Sequence, residues 1–380
     1  MTYLFILGRQ PEIGLAELQA VFGDAKIRLI ASNVAVANVD KGLAASFFSR
    51  LGSVVKAAEA VDNSWDNIAK FLPPDGKVTL GLSAYGTKLK LRDLTQIGLR
   101  IKKKRGSVRL IPSSEITLSS ATVLHNKLTK GENKFEFILA QDGARQILAR
   151  TIYVQDITSY ALRDHGRPRR DARVGMLPPK LAQTMINLAA GQITHKSNVI
   201  LLDPFCGTGV VLQEASLMGY NAYGSDLNAK MIEYTSTNLE WLKKTHRIDF
   251  STTLEVADAT DHTWQPPIDI VVTEVYLGQP FSSAPSDAKL KEVIATCDTI
   301  TRKFLTNLAT QINLETRLCI AVPAWFARGN VHRLPLTKSL DKLGYTTLQS
   351  SSSSTAPLIY HRENQIVGRE LLVLAPKTKI

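Results

Sequence analysis

Residues 201–211 read LLDPFCGTGVV. Two leucines running into Asp203 read as the end of a buried strand. Gly207-Thr208-Gly209 reads as a turn, and the helical spacing that resumes at Val210 starts a helix. Glycines let the backbone approach a nucleotide closely, and a helix start offers free amide protons. Two nucleotide readings stop at particular residues: a dinucleotide fingerprint needs a third glycine where Leu212 stands, and a P-loop needs a Gly-Lys-Ser/Thr run that is absent here. An acid ahead of the glycines repels phosphate and suits a cationic ligand.

Working outward, strand-like and helix-like stretches alternate from about residue 176. The strands are VILLD, AYGSD, TLEVAD, DIVVTE, LCIAVPA and RELLVLA, with helical spacing in TGVVLQEASLMG and AKMIEYTSTNLEWLKK. Near-continuous apolar strands alternating with helices predict a doubly wound parallel sheet, whose ligands lie beyond the carboxyl ends of the strands. Four of these strands end in an acid: Asp203, Asp226, Asp258 and Glu274. In such a sheet Asp226 suits ribose hydroxyls and Asp258 suits an adenine amino group. A ligand with a ribose, an adenine and a positive charge is S-adenosylmethionine. The bland reading, that all three aspartates merely cap helices, is the weaker one.

The first half is organised differently. YLFILG and IRLIASNVAVANV read as strands, LAELQAVFG and AASFFSRLGSVVKAAEA as helices, which suggests a small α+β module over 1–72. Pro73-Pro74-Asp75-Gly76 is a turn and a boundary. A second module, 73–158, contains the strand KVTLGLSAYG, the helix LRDLTQIGLRIKKKRG, and the strands KFEFILAQ and RQILARTIYV joined as a hairpin through Asp142-Gly143-Ala144. A polar linker over 159–178 and a domain over 179–380 complete the division. QSSSSSTAP at 349–357 reads as a loop.

The net charge of +12 is unevenly placed: residues 1–175 hold 27 Lys and Arg against 16 Asp and Glu, and the remainder holds 19 against 18. Such asymmetry suits a polyanion partner on the first half. No run approaches the ~20 apolar residues that span a bilayer, and the N-terminus has neither a basic lead nor a cleavage site. Cys206, Cys297 and Cys319 have no metal-ligand spacing, so no metal is expected, and they suggest a reducing cytoplasm.

DPFCGTG resembles the cofactor loop of S-adenosylmethionine-dependent RNA methyltransferases that carry a THUMP domain, in particular the tRNA guanosine-10 N2-methyltransferase family. LSSATVLHNKL, ARTIYVQDITSYALRDHGRP, LPPKLAQTMINLA and VGRELLVL extend the likeness across about residues 65–380, and the first module is similar to the ferredoxin-like domain that precedes THUMP. The resemblance implies cofactor contacts at Asp203, Phe205, Gly207, Thr208, Gly209, Asp226, Leu227, Asp258 and Ala259. It implies RNA contacts at Lys102, Lys103, Lys104, Arg105, Arg109, Arg163 and Arg167, tRNA or another structured RNA as partner, and leaves a small activating subunit open.

The likeness departs at EVYLG, residues 274–278, where the family has Asp-Pro-Pro-Tyr or Asn-Pro-Pro-Tyr. In that motif an oxygen accepts the amine protons of the base while the aromatic ring stacks on it. Glu274 keeps an acceptor one methylene longer, both prolines are gone, and Tyr276 lies one residue early. The expectation is N2-methylation of guanosine by Glu274 and Tyr276. The alternatives are methylation of another atom or RNA, or a tRNA-binding protein that has lost transfer. A DNA amino-methyltransferase stands third.

Overall fold

A computed structural model describes residues 1–40, 42–171, 176–191, 198–281, 283–348 and 356–377. The serine run and part of the linker lie outside the described residues. The chain forms two compact units, 1–161 and 162–380.

In the first unit, β1 (Thr2–Leu7), α1 (Pro11–Phe22), β2 (Ile27–Ala31), β3 (Val34–Asn38), α2 (Ala45–Phe48) and β4 (Val54–Asp62) come first. They are followed by β5 (Val78–Tyr85), α3 (Leu91–Arg105), β6 (Val108–Leu110), α4 (Ser120–His125), β7 (Lys134–Asp142) and β8 (Arg145–Val154). All eight strands share one sheet, ordered β2-β3-β1-β4-β8-β7-β5-β6. The first four follow the β-α-β-β-α-β order of a ferredoxin-like module. The Pro73–Gly76 turn does not separate two sheets, because β4 pairs with β8.

Two local readings change. The single strand expected over 27–39 is a hairpin that turns at Ser32-Asn33, residue types that favour tight turns. The helix expected over 44–60 stops at Phe48, and VVKAAEAV continues as β4 despite its alanines. Gly52 interrupts the helix, and pairing on both edges, to β1 and β8, outweighs helix propensity. The predicted hairpin of β7 and β8 is present, with Gly143 at φ 59°. In α3, Leu94, Ile97 and Ile101 are buried and Lys102–Lys104 project outward.

A buried ion pair joins β4 to β7. Lys56 Nζ lies 2.5 Å from Glu136 Oε1 and donates to Leu118 O at 2.7 Å. Ser83 and Thr151 donate to the two carboxylate oxygens at 2.6 and 2.8 Å.

The second unit contains α6 (Pro179–Ala190), β9 (Ile200–Asp203), α7 (Val210–Leu217), β10 (Asn221–Asp226), α8 (Ala229–His246), β11 (Thr252–Val256), β12 (Ile270–Glu274) and α9 (Asp287–Ala309). Then come β13 (Arg317–Ala327), β14 (Asn330–Arg333), β15 (Tyr345–Thr347), β16 (Ile359–Tyr360) and β17 (Val367–Pro376); α5 (Ile157–His165) carries the chain into this unit. The sheet order is β11-β10-β9-β12-β13-β17-β15. Strands β9 to β13 are mutually parallel, whereas β17 runs antiparallel to β13 and β15, so the sheet is mixed at that edge. Phe304, Leu305 and Leu308 of α9 pack on Leu202, Val271 and Ile320. Helices α6, α7 and α8 contribute nothing to that cluster and cover the opposite face. The chain leaves β9 for β10 on one side and returns to β12 on the other, which puts the switch point beside Asp203. Among the described residues no helix is long and apolar enough to cross a membrane.

Removing one partner of the Lys56–Glu136 pair strands a buried charge. Glu136→Leu is therefore expected to lower the stability of the full chain by about 3–5 kcal/mol in urea unfolding, and adding Lys56→Met to recover at least half of that loss. An equal loss in single and double variants would contradict the pairing.

Candidate active site

Asp203 ends β9, is 2% exposed, and accepts from Thr273 Oγ1 at 2.6 Å and from the Phe205 amide at 3.2 Å. Burial, with lesser contributions from Asp226 and Glu274, pushes its carboxyl up to about 7 against the pull of those hydrogen bonds. The following turn needs its glycines. Gly207 has φ 50° and Gly209 φ 79°, and a Cβ on Gly209 would lie 2.8 Å from Thr235 Cγ2. A Cβ on Gly207 would meet nothing within 4 Å, so that side of the turn is open.

Helix α8 braces this turn. Thr235 donates to Gly207 O at 2.8 Å and Asn238 Nδ2 donates to Thr208 O at 2.9 Å. Neither residue was singled out from the sequence, where TSTN reads as an ordinary polar helix stretch. Leu212, which replaces the third glycine of a dinucleotide fingerprint, packs over Gly224 of β10; a Cβ there would sit 2.5 Å from Leu212 Cδ1. The close approach of helix to strand is thus made by a glycine on the strand.

Asp226 at the end of β10 accepts from the Gly207 amide through Oδ2 and from the Asn228 amide through Oδ1, both at 2.9 Å. Each oxygen keeps a further lone pair. Leu227 beside it is 71% exposed. Asp258 accepts from the Thr260 amide at 2.9 Å, and buried Ala259 receives Asn307 Nδ2 on its carbonyl at 3.2 Å. Phe205 turns partly toward the core, edge-on to Phe304 with ring centroids 5.1 Å apart. The structure therefore places the cofactor candidates along the sheet's carboxyl edge, with Asp203 and Asp226 bonded to the turn itself.

Glu274 ends β12 on that same edge, with its side chain 17% exposed. Arg369 of β17 donates to its Oε1, a partner 95 residues away that the sequence did not reveal. Burial raises the Glu274 carboxyl while Arg369 opposes the rise. The glutamate is thus held in an ion pair. Tyr276 follows on the surface at 45% exposure, and buried Val275 anchors the strand end through its amide to Ala321 O at 3.1 Å. Gly278 has φ 86°, and a Cβ there would meet Val293 at 2.6 Å.

The basic candidates divide. Lys102 and Arg109, with Lys77, line an open depression of about 450 Å³, while Lys103 and Lys104 are exposed beside it. Arg105 instead ties down the Pro73–Gly76 turn, donating to Pro73 O at 2.7 Å and Gly76 O at 3.2 Å. Arg163 and Arg167 were expected on the RNA and are buried at 6% and 3% exposure. Arg163 pairs with Glu214 at 2.7 Å, and burial lowers the Arg167 guanidinium from its ordinary value. Packing of their segment against α7 withdraws both from solvent, so neither offers a charge to a surface ligand.

Residues 167–324 match the family described as UPF0020, RMKL-like, methyltransferase domain. Over 149 residues the chain is 33% identical to the tRNA (guanine(10)-N2)-dimethyltransferase of Methanothermobacter thermautotrophicus, covering 39% of each protein. Over 153 residues it is 30% identical to the protein of that name from Pyrococcus abyssi, covering 40% of each. The chain therefore spans about two fifths of the length of these relatives. The crystal structure of TrmN from Thermus thermophilus superposes with a TM-score of 0.54 at 15% identity, covering 99% of this chain and 100% of that one, which shows a shared fold. Residues 167–324, which hold the glycine turn, Asp203, Asp226, Asp258 and Glu274, are thus similar to a methyltransferase domain of the UPF0020 kind.

Proposed function

We propose that this chain transfers a methyl group from S-adenosylmethionine to an exocyclic amine in tRNA, N2 of guanosine, with the first unit serving as a ferredoxin-like and THUMP-like RNA-binding part. The observation that carries the reading is the set of acids at the carboxyl edge of the sheet, Asp203 and Asp226 at strand ends and Asp258 two residues past β11, beside a glycine turn with open space at Gly207. The residues present fit the cofactor. An acid raised chiefly by burial, with Asp226 and Glu274 adding to the rise, favours a cationic ligand, Asp226 keeps lone pairs for ribose hydroxyls, and exposed Leu227 offers an apolar surface to a ring. The relatives' names point to the same substrate and atom.

When bound, S-adenosylmethionine supplies a methyl group activated by a sulfonium. The chain's own contribution is placement. Glu274 accepts an N–H of the amine and aims the nitrogen lone pair at the methyl carbon, Tyr276 stacks on the flipped base, and Arg369 fixes the Glu274 carboxylate. A second reading, binding of cofactor and RNA without transfer, draws support from the same ion pair, because the arginine already occupies one Glu274 oxygen.

Labelled S-adenosylmethionine incubated with the protein and bulk tRNA tests the proposal. Label in RNA that Asp203→Asn abolishes is the expected result; no label, with cofactor binding verified, would favour the second reading. The raised Asp203 carboxyl adds a pH test. Below about 7 it is protonated, and a bound sulfonium favours its ionised form, so binding releases a proton. S-adenosylmethionine affinity measured by calorimetry is expected to rise from pH 6 to pH 7 by up to about tenfold and then level off. Uncharged S-adenosylhomocysteine should rise much less; parallel profiles for the two ligands would contradict the role given to Asp203.

A further inference from the structure

The segment entering the second unit holds a basic site that the buried arginines concealed. Pro168, Arg169 and Arg170 are exposed, although Arg163 and Arg167 just before them are buried. Helix α8 fixes this short stretch. Asn238 Oδ1 accepts from the Arg169 amide at 2.9 Å, and Asn238 Nδ2 donates both to Arg169 O at 3.0 Å and to Thr208 O at 2.9 Å. One buried amide side chain therefore clamps the backbone of Arg169 to the glycine turn. The Arg169 guanidinium lies 5.4 Å from the Tyr234 ring centroid, and Lys230 Nζ lies 5.3 Å from the same centroid. Lys230 stands in the first turn of α8, next to the Asp226–Asn228 corner. Among the described residues, no ion pair involves Arg169, Arg170 or Lys230.

We infer that Arg169, Arg170 and Lys230 form a phosphate-contact site for the RNA substrate on the methyltransferase unit itself, at the rim of the cofactor turn. Three cations without a carboxylate partner among the described residues meet here: Asn238 fixes the backbone of Arg169, Arg170 follows it, and Lys230 shares the Tyr234 ring with Arg169. The Arg169 backbone is thus ordered before binding, and a guanidinium presents a planar fork suited to phosphate oxygens. Such contacts place an RNA strand without reading its bases. The site supplies on this unit the charge that Arg163 and Arg167 cannot, and Asn238 connects RNA contact at Arg169 to the shape of the turn at Thr208. This inference rests on the proposed RNA substrate.

The test is tRNA affinity across a salt series for the full chain and for the Arg169→Gln/Arg170→Gln/Lys230→Gln variant. Each phosphate contact contributes about 0.7–0.9 to the slope of log affinity against log salt, so the triple variant is expected to lose about two to three in slope. Arg169→Lys/Arg170→Lys, which keeps the charges, should retain the slope of the parent, and S-adenosylmethionine affinity should be the same in all three proteins. A parent that binds tRNA and a triple variant with an unchanged slope would overturn the site while leaving the RNA substrate standing. A fall in cofactor affinity without a change in slope would reduce the segment to a structural brace and also overturn it. A parent that binds no tRNA would overturn the RNA substrate, and the site with it.

Discussion

The hydrogen bond from Thr273 to Asp203, 2.6 Å long between residues 70 apart, ties together the two strands that flank the switch point of the second sheet. Those strands, β9 and β12, are in register at Leu201 and Leu202 against Ile270 and Val271, with the Asp269 amide donating to Ile200 O at their start. Beyond that pairing the chain diverges, to the glycine turn on one side and to Glu274 on the other. The bond spans the mouth that this divergence opens. It also satisfies a buried carboxyl that lies near two other acids, a position costly to occupy without a partner.

From this point the glycine-turn side and the Glu274 side of the site are set by different neighbours. Helix α8 holds the turn through Thr235 and Asn238, and the backbone of the turn holds Asp226 through Gly207. On the other side the antiparallel strand β17 brings Arg369 to Glu274. Glu274, which leads the Glu-Val-Tyr-Leu-Gly stretch, is thus held against a cation, Arg369. A glutamate left unpaired at the same depth would be pushed toward its neutral form by burial.

Much of the second unit was legible because its signals are local. Apolar runs ending in Asp203, Asp226 and Glu274 mark strand ends, and positive φ at Gly207 and Gly209 follows from a turn that β-carbons would obstruct or strain. Other features depend on distant residues. VVKAAEAV reads as helix until β1 and β8 pair with it. Arg163 and Arg167 read as surface charge until Glu214 on α7 is brought beside Arg163. Nothing near Glu274 in the sequence announces Arg369. The antiparallel course of β17 is likewise a matter of topology, since its residues are as apolar as those of its parallel neighbours.

The most direct test of the account is nucleoside mass spectrometry of tRNA after reaction with the parent protein, Glu274→Ala and Arg369→Met. The account predicts N2-methylguanosine with the parent, none with Glu274→Ala, and at least about a tenfold slower yield with Arg369→Met, in line with the loss of a positioning contact. A different methylated nucleoside would contradict the guanosine assignment, and full yield from Glu274→Ala would contradict the role of the ion-paired glutamate.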